Sequence, residues 1–179
     1  MKAPRVVVIG AGTMGHGVAF VAALAECDVV ITDARPDALP HALSKIAQLL
    51  DGAVNRGKLL DTDRSALERR LHVEAALPAA VRGADVVIEA VVEDLAIKQR
   101  LFADVERFAP ADALLASNTS SLSIGAIASA LANPDRLVGM HFFNPVHVMR
   151  LVEVVTHGAG SRAAADRAVE FARRLKKEP

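Results

Sequence analysis

Residues 5–15 read RVVVIGAGTMG, a short run suited to a strand followed by glycines at 10, 12 and 15. In the spacing G-x-G-x-x-G the first glycine permits a tight turn and the second lets the backbone approach a pyrophosphate. The third allows close packing of helix on strand, and the N-terminus of the following helix attracts the anion. Alone the motif is weak, and a glycine-rich turn without a ligand competes with it. Here it follows a strand-like run and opens a stretch of small and apolar residues, 13–25, suited to a helix packed tightly on a sheet. An acid, Asp33, closes the second strand-like run eighteen residues after Gly15. That context is what a dinucleotide fingerprint requires. It places Gly10, Gly12, Thr13, Met14 and Gly15 at a cofactor phosphate. Asp33 can accept both adenosine ribose hydroxyls and would repel a 2′-phosphate, so NAD is favoured over NADP; Arg35, two residues on, leaves NADP open.

Working outward, RVVVI (5–9), VVIT (29–32), DVVIE (85–89), ALLAS (113–117) and RLVGM (136–140) alternate with helical stretches. Runs that are apolar on both faces and separated by helices signal a parallel sheet covered on each side. The fold class is α/β, a doubly wound, mostly parallel sheet of the Rossmann type. From Pro36 to Asn55, Leu39, Leu43, Ile46, Leu50 and Val54 recur at helical spacing. A second short helix is expected around Asp63–Arg70. The stretch from Asp33 to His72 is too long for a minimal crossover and reads as an inserted helical pair, about 36–70. The final SRAAADRAVEFARRLKKEP suits a helix ending in a basic turn.

The chain has 179 residues, 52% hydrophobic and 23% charged, with a formal net charge of zero. That balance argues for a globular protein and against a nucleic-acid or membrane surface. No run approaches the roughly 20 apolar residues that span a bilayer. MKAPRVVVIG enters a strand at once, leaving no room for a signal peptide. A single cysteine, Cys27, fits a reducing compartment. A cytoplasmic protein is expected.

In doubly wound sheets ligands bind beyond the carboxyl ends of the strands. Polar residues gather there. The fourth run ends at Glu89, and EAVVED continues to Glu93 and Asp94, with Lys98 on the helix that follows. A structural reading makes Asp94 a helix N-cap and Glu93 a solvated loop acid. The fifth ends in SNTSSLS, where Ser120, Ser121 or Ser123 is expected to cap the helix near Ile124.

The third group is HFFNPVHVMRLVEVV, residues 141–155. Its last eight residues alternate as a strand does, and the face carrying Met149, Leu151 and Val155 also carries Glu153. A carboxylate on an apolar, half-buried face needs a partner. Asn144-Pro145 breaks the preceding strand. If the chain reverses about His147, antiparallel pairing sets His141 opposite Glu153. A histidine–carboxylate pair holds the imidazole in one tautomer and stabilises its charged form. A lone histidine on such a strand is otherwise a satisfied core residue. The six histidines show no zinc-ligand spacing, so no metal is expected.

Together GAGTMG, EAVVED, SNTSSLSI and HFFNPVHVMRLVEVV resemble the NAD-dependent L-3-hydroxyacyl-CoA dehydrogenases, including the bacterial 3-hydroxybutyryl-CoA enzymes, from about residue 5 to the end. The resemblance implies that His141 is the acid/base, Glu153 its partner, and Ser120 and Asn144 ligands of the reacting oxygen. Glu93 and Lys98 would line the nicotinamide and ribose side of the NAD site. The helical pair would lie against the coenzyme A end of an acyl-CoA thioester, in fatty-acid or butanoate metabolism. Three departures stand out. Glu26-Cys27 replaces the usual Gly-His before the second strand, and His147 replaces a usual proline. The family's second, helical domain, which supplies most of a homodimer contact, has no counterpart in residues 1–179. Two rivals remain. The 3-hydroxyisobutyrate and 6-phosphogluconate dehydrogenase group resembles only the first third of the chain, and a non-catalytic NAD-binding module would have no need of the His141–Glu153 pair.

Overall fold

The computed structural model describes residues 3–158 and 161–179. Seven strands form one sheet in the order β3-β2-β1-β4-β5-β6-β7. They are β1 (Arg5–Ile9), β2 (Asp28–Thr32), β3 (Leu71–Val73), β4 (Val86–Glu89), β5 (Leu114–Ser117), β6 (Leu137–Phe142) and β7 (Val152–Val155). All neighbours pair in parallel except β6 and β7, which are antiparallel. The helices are α1 (Thr13–Leu24), α2 (Ala38–Asn55), α3 (Asp61–Glu68), α4 (Leu77–Ala80), α5 (Leu95–Phe108), α6 (Ile124–Ala128) and α7 (Arg162–Arg174). None is long and apolar enough to cross a membrane, among the described residues. The doubly wound, mostly parallel sheet expected from the alternating runs is present. So is the helical pair after β2, as α2 and α3.

Strand alternation divides the interior into two layers. Val6 and Val8 of β1, Val29 and Ile31 of β2, and Val138, Met140 and Phe142 of β6 face a core shared with α1, α2 and α7. Val7, Ile9, Val30, Val87 and Leu115 face the opposite core, shared with α4, α5 and α6. Both faces of the central strands are therefore apolar, which is why they read as unbroken runs.

The same alternation positions the site. Met140 and Phe142 point into the first core, so His141 between them lies on the α6 side. Across the hairpin Val152 is buried and Val154 packs on that first core, which leaves Glu153 and Val155 on the face of His141. α6 has only five residues, and beyond it the face is open.

Three expectations change here. β6 continues through His141 and Phe142 rather than ending at Met140. Of the eight alternating residues 148–155, only Val152–Val155 form the strand, while Leu151 makes an isolated parallel bridge to Glu178. The face of Met149, Leu151, Glu153 and Val155 is not half-buried. The apolar members are 38%, 46% and 43% exposed, and the Glu153 side chain is 54% exposed. Glu153 therefore bears little of the desolvation cost its pattern suggested.

The chain after α7 also differs from a simple basic turn. Lys176 takes a left-handed backbone (φ 58°), and Lys177 turns inward to 8% exposure. Its Nζ donates to the carbonyls of Val146 and Met149, tying down the turn that follows Asn144. Burial holds the Lys177 ammonium below its ordinary range.

Candidate active site

The glycine loop joins the end of β1 to α1. Gly10 takes φ 110°, a conformation that favours glycine, and a Cβ there would lie 2.5 Å from the Ala90 carbonyl oxygen. A Cβ at Gly15 would lie 1.8 Å from the Gly10 oxygen, so this glycine allows the helix to pack against the turn. Gly12 is different. A Cβ there would meet nothing within 4 Å, and Gly12 opens onto a cavity of about 650 Å³ shared with Gly10 and Asp33. The structure thus gives Gly10 and Gly15 steric reasons of their own, whereas only a ligand gives Gly12 one.

Asp33 ends β2 with its carboxylate already oriented. Oδ2 accepts from the Ala11 amide at 2.7 Å and Oδ1 from the Arg35 amide at 2.8 Å. Each oxygen keeps a lone pair for a ribose hydroxyl. The Arg35 guanidinium is 76% exposed and 4.0 Å from Asp33. The glycine cradle, the cavity and this carboxylate fit a dinucleotide. Thr13 is exposed in the first turn of α1 and does not line this cavity.

A second cavity, about 340 Å³, brings together Met14, Glu93, Lys98, Ser120, His141 and Asn144. Six expected site residues from four separated segments thus share one cleft. His141 is opposite Glu153 in the strand register, and Nδ1 lies 2.8 Å from Glu153 Oε2. With Nδ1–H donating to the carboxylate, the lone pair of the neutral ring is on Nε2. The ring also leans on Phe143 at 4.4 Å between centroids. A third cavity, about 380 Å³, lies on the Glu153 side and shares Ser120 and His141.

Glu93 is not a solvated loop acid. Its Oε1 accepts from the hydroxyls of Thr119 and Ser121 and from the Ser120 amide, and Oε2 meets Lys98 Nζ at 3.2 Å. Burial, the largest influence on this carboxyl, acts upward. The Thr119 hydroxyl, Lys98 and the Ser120 amide together outweigh it and hold Glu93 below its ordinary value. Asp94 caps α5 by accepting from the Ile97 amide, and of the three serines it is Ser123 that caps α6.

Lys98 was expected at the site, but its burial against Glu89 was not legible in the sequence, and neither was the role of Asn118. Lys98 is 1% exposed and donates to Glu89 Oε1 at 2.6 Å; Glu89 is fully buried and also accepts from Ser117 Oγ at 2.6 Å. Lysine rarely goes inside unless paired. The available signal was an acid ending a strand that is apolar on both faces. Asn118 Oδ1 accepts from the Phe142 amide at 2.8 Å, bracing the residue after His141. Nothing in its neighbours announces that reach to the adjacent strand.

Residues 5–179 match the family described as the NAD-binding domain of 3-hydroxyacyl-CoA dehydrogenase. The chain is 38% identical over 181 aligned positions to a fatty acid oxidation complex subunit alpha of Ectopseudomonas oleovorans, covering 99% of this chain and 25% of the relative. It spans about a quarter of the length of the curated relatives it matches. Its fold superposes on the 3-hydroxybutyryl-CoA dehydrogenase of Escherichia coli with a TM-score of 0.95 at 40% identity, covering 100% of this chain and 38% of that one. For the (S)-3-hydroxybutyryl-CoA dehydrogenase of Ralstonia eutropha the TM-score is 0.94 at 31% identity, covering 99% and 62%.

Proposed function

The chain belongs to the 3-hydroxyacyl-CoA dehydrogenase NAD-binding family, and we propose that it carries the cofactor site and acid/base dyad of an enzyme interconverting 3-hydroxyacyl-CoA and 3-oxoacyl-CoA. The observation that carries this reading is the 2.8 Å His141–Glu153 pair, whose imidazole lines the same cleft as Met14 of the glycine loop. A module that only bound NAD would have no use for a braced imidazole at that place. A dehydrogenase of the 3-hydroxyisobutyrate or 6-phosphogluconate group would have no use for the HFFNP hairpin.

NAD, held by the Gly10–Gly15 turn and Asp33, supplies the hydride acceptor when bound. His141 Nε2 takes the proton of the C3 hydroxyl as the carbon is oxidised, and returns it to the carbonyl oxygen in the reverse direction. Glu153 keeps Nδ1 protonated and balances the charge the ring gains. Ser120 and Asn144, which line the cleft with His141, donate to the reacting oxygen. The α2–α3 pair receives the coenzyme A end of the thioester. A cytoplasmic location follows from the same reading.

On this reading of the site, residues 1–179 form the dinucleotide-binding part of a longer enzyme. The longer relatives support it, and so do the exposed Leu151 and Val155 on the face of Glu153. A second domain there would close the cleft and complete a homodimer. An open cleft admits water, which weakens electrostatic stabilisation and leaves the hydroxyl poorly oriented. Turnover by this chain alone should therefore fall far below that of a longer relative.

The test is product analysis with NADH and acetoacetyl-CoA, run beside 3-hydroxyisobutyrate and 6-phosphogluconate with NAD. Slow formation of 3-hydroxybutyryl-CoA alone supports the reading. NADH binding with no turnover of any of them, even at high protein concentration, favours the non-catalytic module.

A further inference from the structure

Lys98 Nζ sits between two carboxylates, 2.6 Å from Glu89 and 3.2 Å from Glu93. Among the described residues, every other partner of Glu89 is a neutral donor, the Ser117 hydroxyl at 2.6 Å and the Val91 amide at 2.7 Å. The same holds for Glu93, whose remaining partners are the Thr119 and Ser121 hydroxyls and the Ser120 amide. Two carboxylates share one ammonium, which leaves one negative charge without a counter-charge. Glu89 and Lys98 are buried, and the Glu93 side chain, 38% exposed, lines the cavity of His141.

We propose that Glu89 and Glu93, sharing the Lys98 ammonium, leave a surplus negative charge in the cleft that raises its affinity for NAD⁺ relative to NADH. The inference rests on the dehydrogenase reading above. A cofactor held by the glycine loop must present its reactive end to a carbon whose oxygen meets His141. The cavity between Met14 and His141 is the one that Glu93 and Lys98 line. The nicotinamide ring is positive when oxidised and neutral when reduced. The adenosine and pyrophosphate are the same in both forms, so their contacts cancel in the ratio of the two dissociation constants. The triad does not cancel. Stabilising the oxidised ring makes the bound reduced cofactor a stronger hydride donor. The cleft is thereby biased towards reduction at C3, with the hydride delivered to carbon and the His141 proton to oxygen.

The experiment is calorimetric titration of the whole chain with NAD⁺ and with NADH, for the parent, Glu93→Gln, Glu93→Asp and Asp33→Asn. Glu93→Gln should weaken NAD⁺ roughly 3- to 10-fold more than NADH, the scale of one charge a few ångströms away at a partly screened site. Glu93→Asp, which keeps the charge, should restore the parent ratio. Asp33→Asn should weaken both forms and leave the ratio unchanged. Equal losses for both forms in Glu93→Gln, the result of a merely structural role in the 119–121 turn, would overturn the inference while leaving the dehydrogenase reading intact. A parent chain that binds neither form would overturn both.

Discussion

Gly12→Ala separates binding from folding more cleanly than any other change in the glycine loop. The Gly12 backbone, φ −74° and ψ −166°, is open to any residue, and its added Cβ would meet no protein atom within 4 Å. Alanine is a poorer N-cap than glycine by up to about 1 kcal/mol. Restricting the unfolded chain returns about 0.4–1 kcal/mol. The net change in stability should stay within about 1 kcal/mol, a shift in Tm of no more than about 2–4 °C for a chain of this size. Binding should respond quite differently. The methyl group stands where the backbone would approach the pyrophosphate, and each amide–phosphate hydrogen bond lost costs about 1.5–3 kcal/mol. Loss of one such bond weakens NADH by roughly 10- to 150-fold. Fluorescence titration with NADH, paired with thermal melts, measures both quantities. Gly15→Ala is the contrast, since its Cβ would lie 1.8 Å from the Gly10 oxygen, so folding itself should suffer. A Gly12→Ala protein with unchanged melting and NADH affinity within about threefold of the parent would refute a pyrophosphate at this turn.

NADH should bind more tightly than NADPH, and Asp33→Ala should narrow the gap; calorimetry showing NADPH equal or better in the parent would remove Asp33 from that role. Glu26 ends α1 with φ 62°, a left-handed conformation costing a non-glycine residue about 1–2 kcal/mol, so Glu26→Gly should stabilise the chain by about 0.5–1 kcal/mol after the entropy glycine adds to the unfolded state. Unchanged or lower chemical-denaturation stability would contradict that reading of the turn. His147 and His16 are both held below 6.5, each mainly by burial, His147 further by Arg56, Lys177 and His16 and His16 by Lys45 and His41. The unfolded chain therefore takes up these protons first, so stability is full above pH 6.5 and falls as pH drops through the lowered values. The depressed Glu93 carboxyl adds its own loss only below 4.5. Melting curves between pH 7.5 and 5 should fall for the parent and fall less for His147→Phe, which keeps an aromatic edge near Phe20; parallel curves would exclude His147.

The central strands were legible because both of their faces are buried, leaving no polar interruption. β3 was not, because Leu71–Val73 has three residues, two of them exposed, and α4 has only four. The partnership of His141 with Glu153 was legible from hairpin register alone. The burial of Glu153 was misjudged for a physical reason: alternation tells which residues share a face, but not whether anything covers it. Buried lysines were the other blind spot. Lys98 and Lys177 look like surface residues in a chain with 23% charged residues. Their partners, Glu89 and the Val146 and Met149 carbonyls, come from other segments. Only assembly of the sheet brings those acceptors near.

The most direct test of the account is the rate of NADH oxidation with acetoacetyl-CoA by the parent chain and by His141→Gln, each first shown to melt cooperatively and to bind NADH. The parent rate should be slow but measurable, and should fall by about 10²-fold or more when the Nε2 base is removed. A His141→Gln protein that turns over acetoacetyl-CoA at the parent rate would contradict the base role of His141.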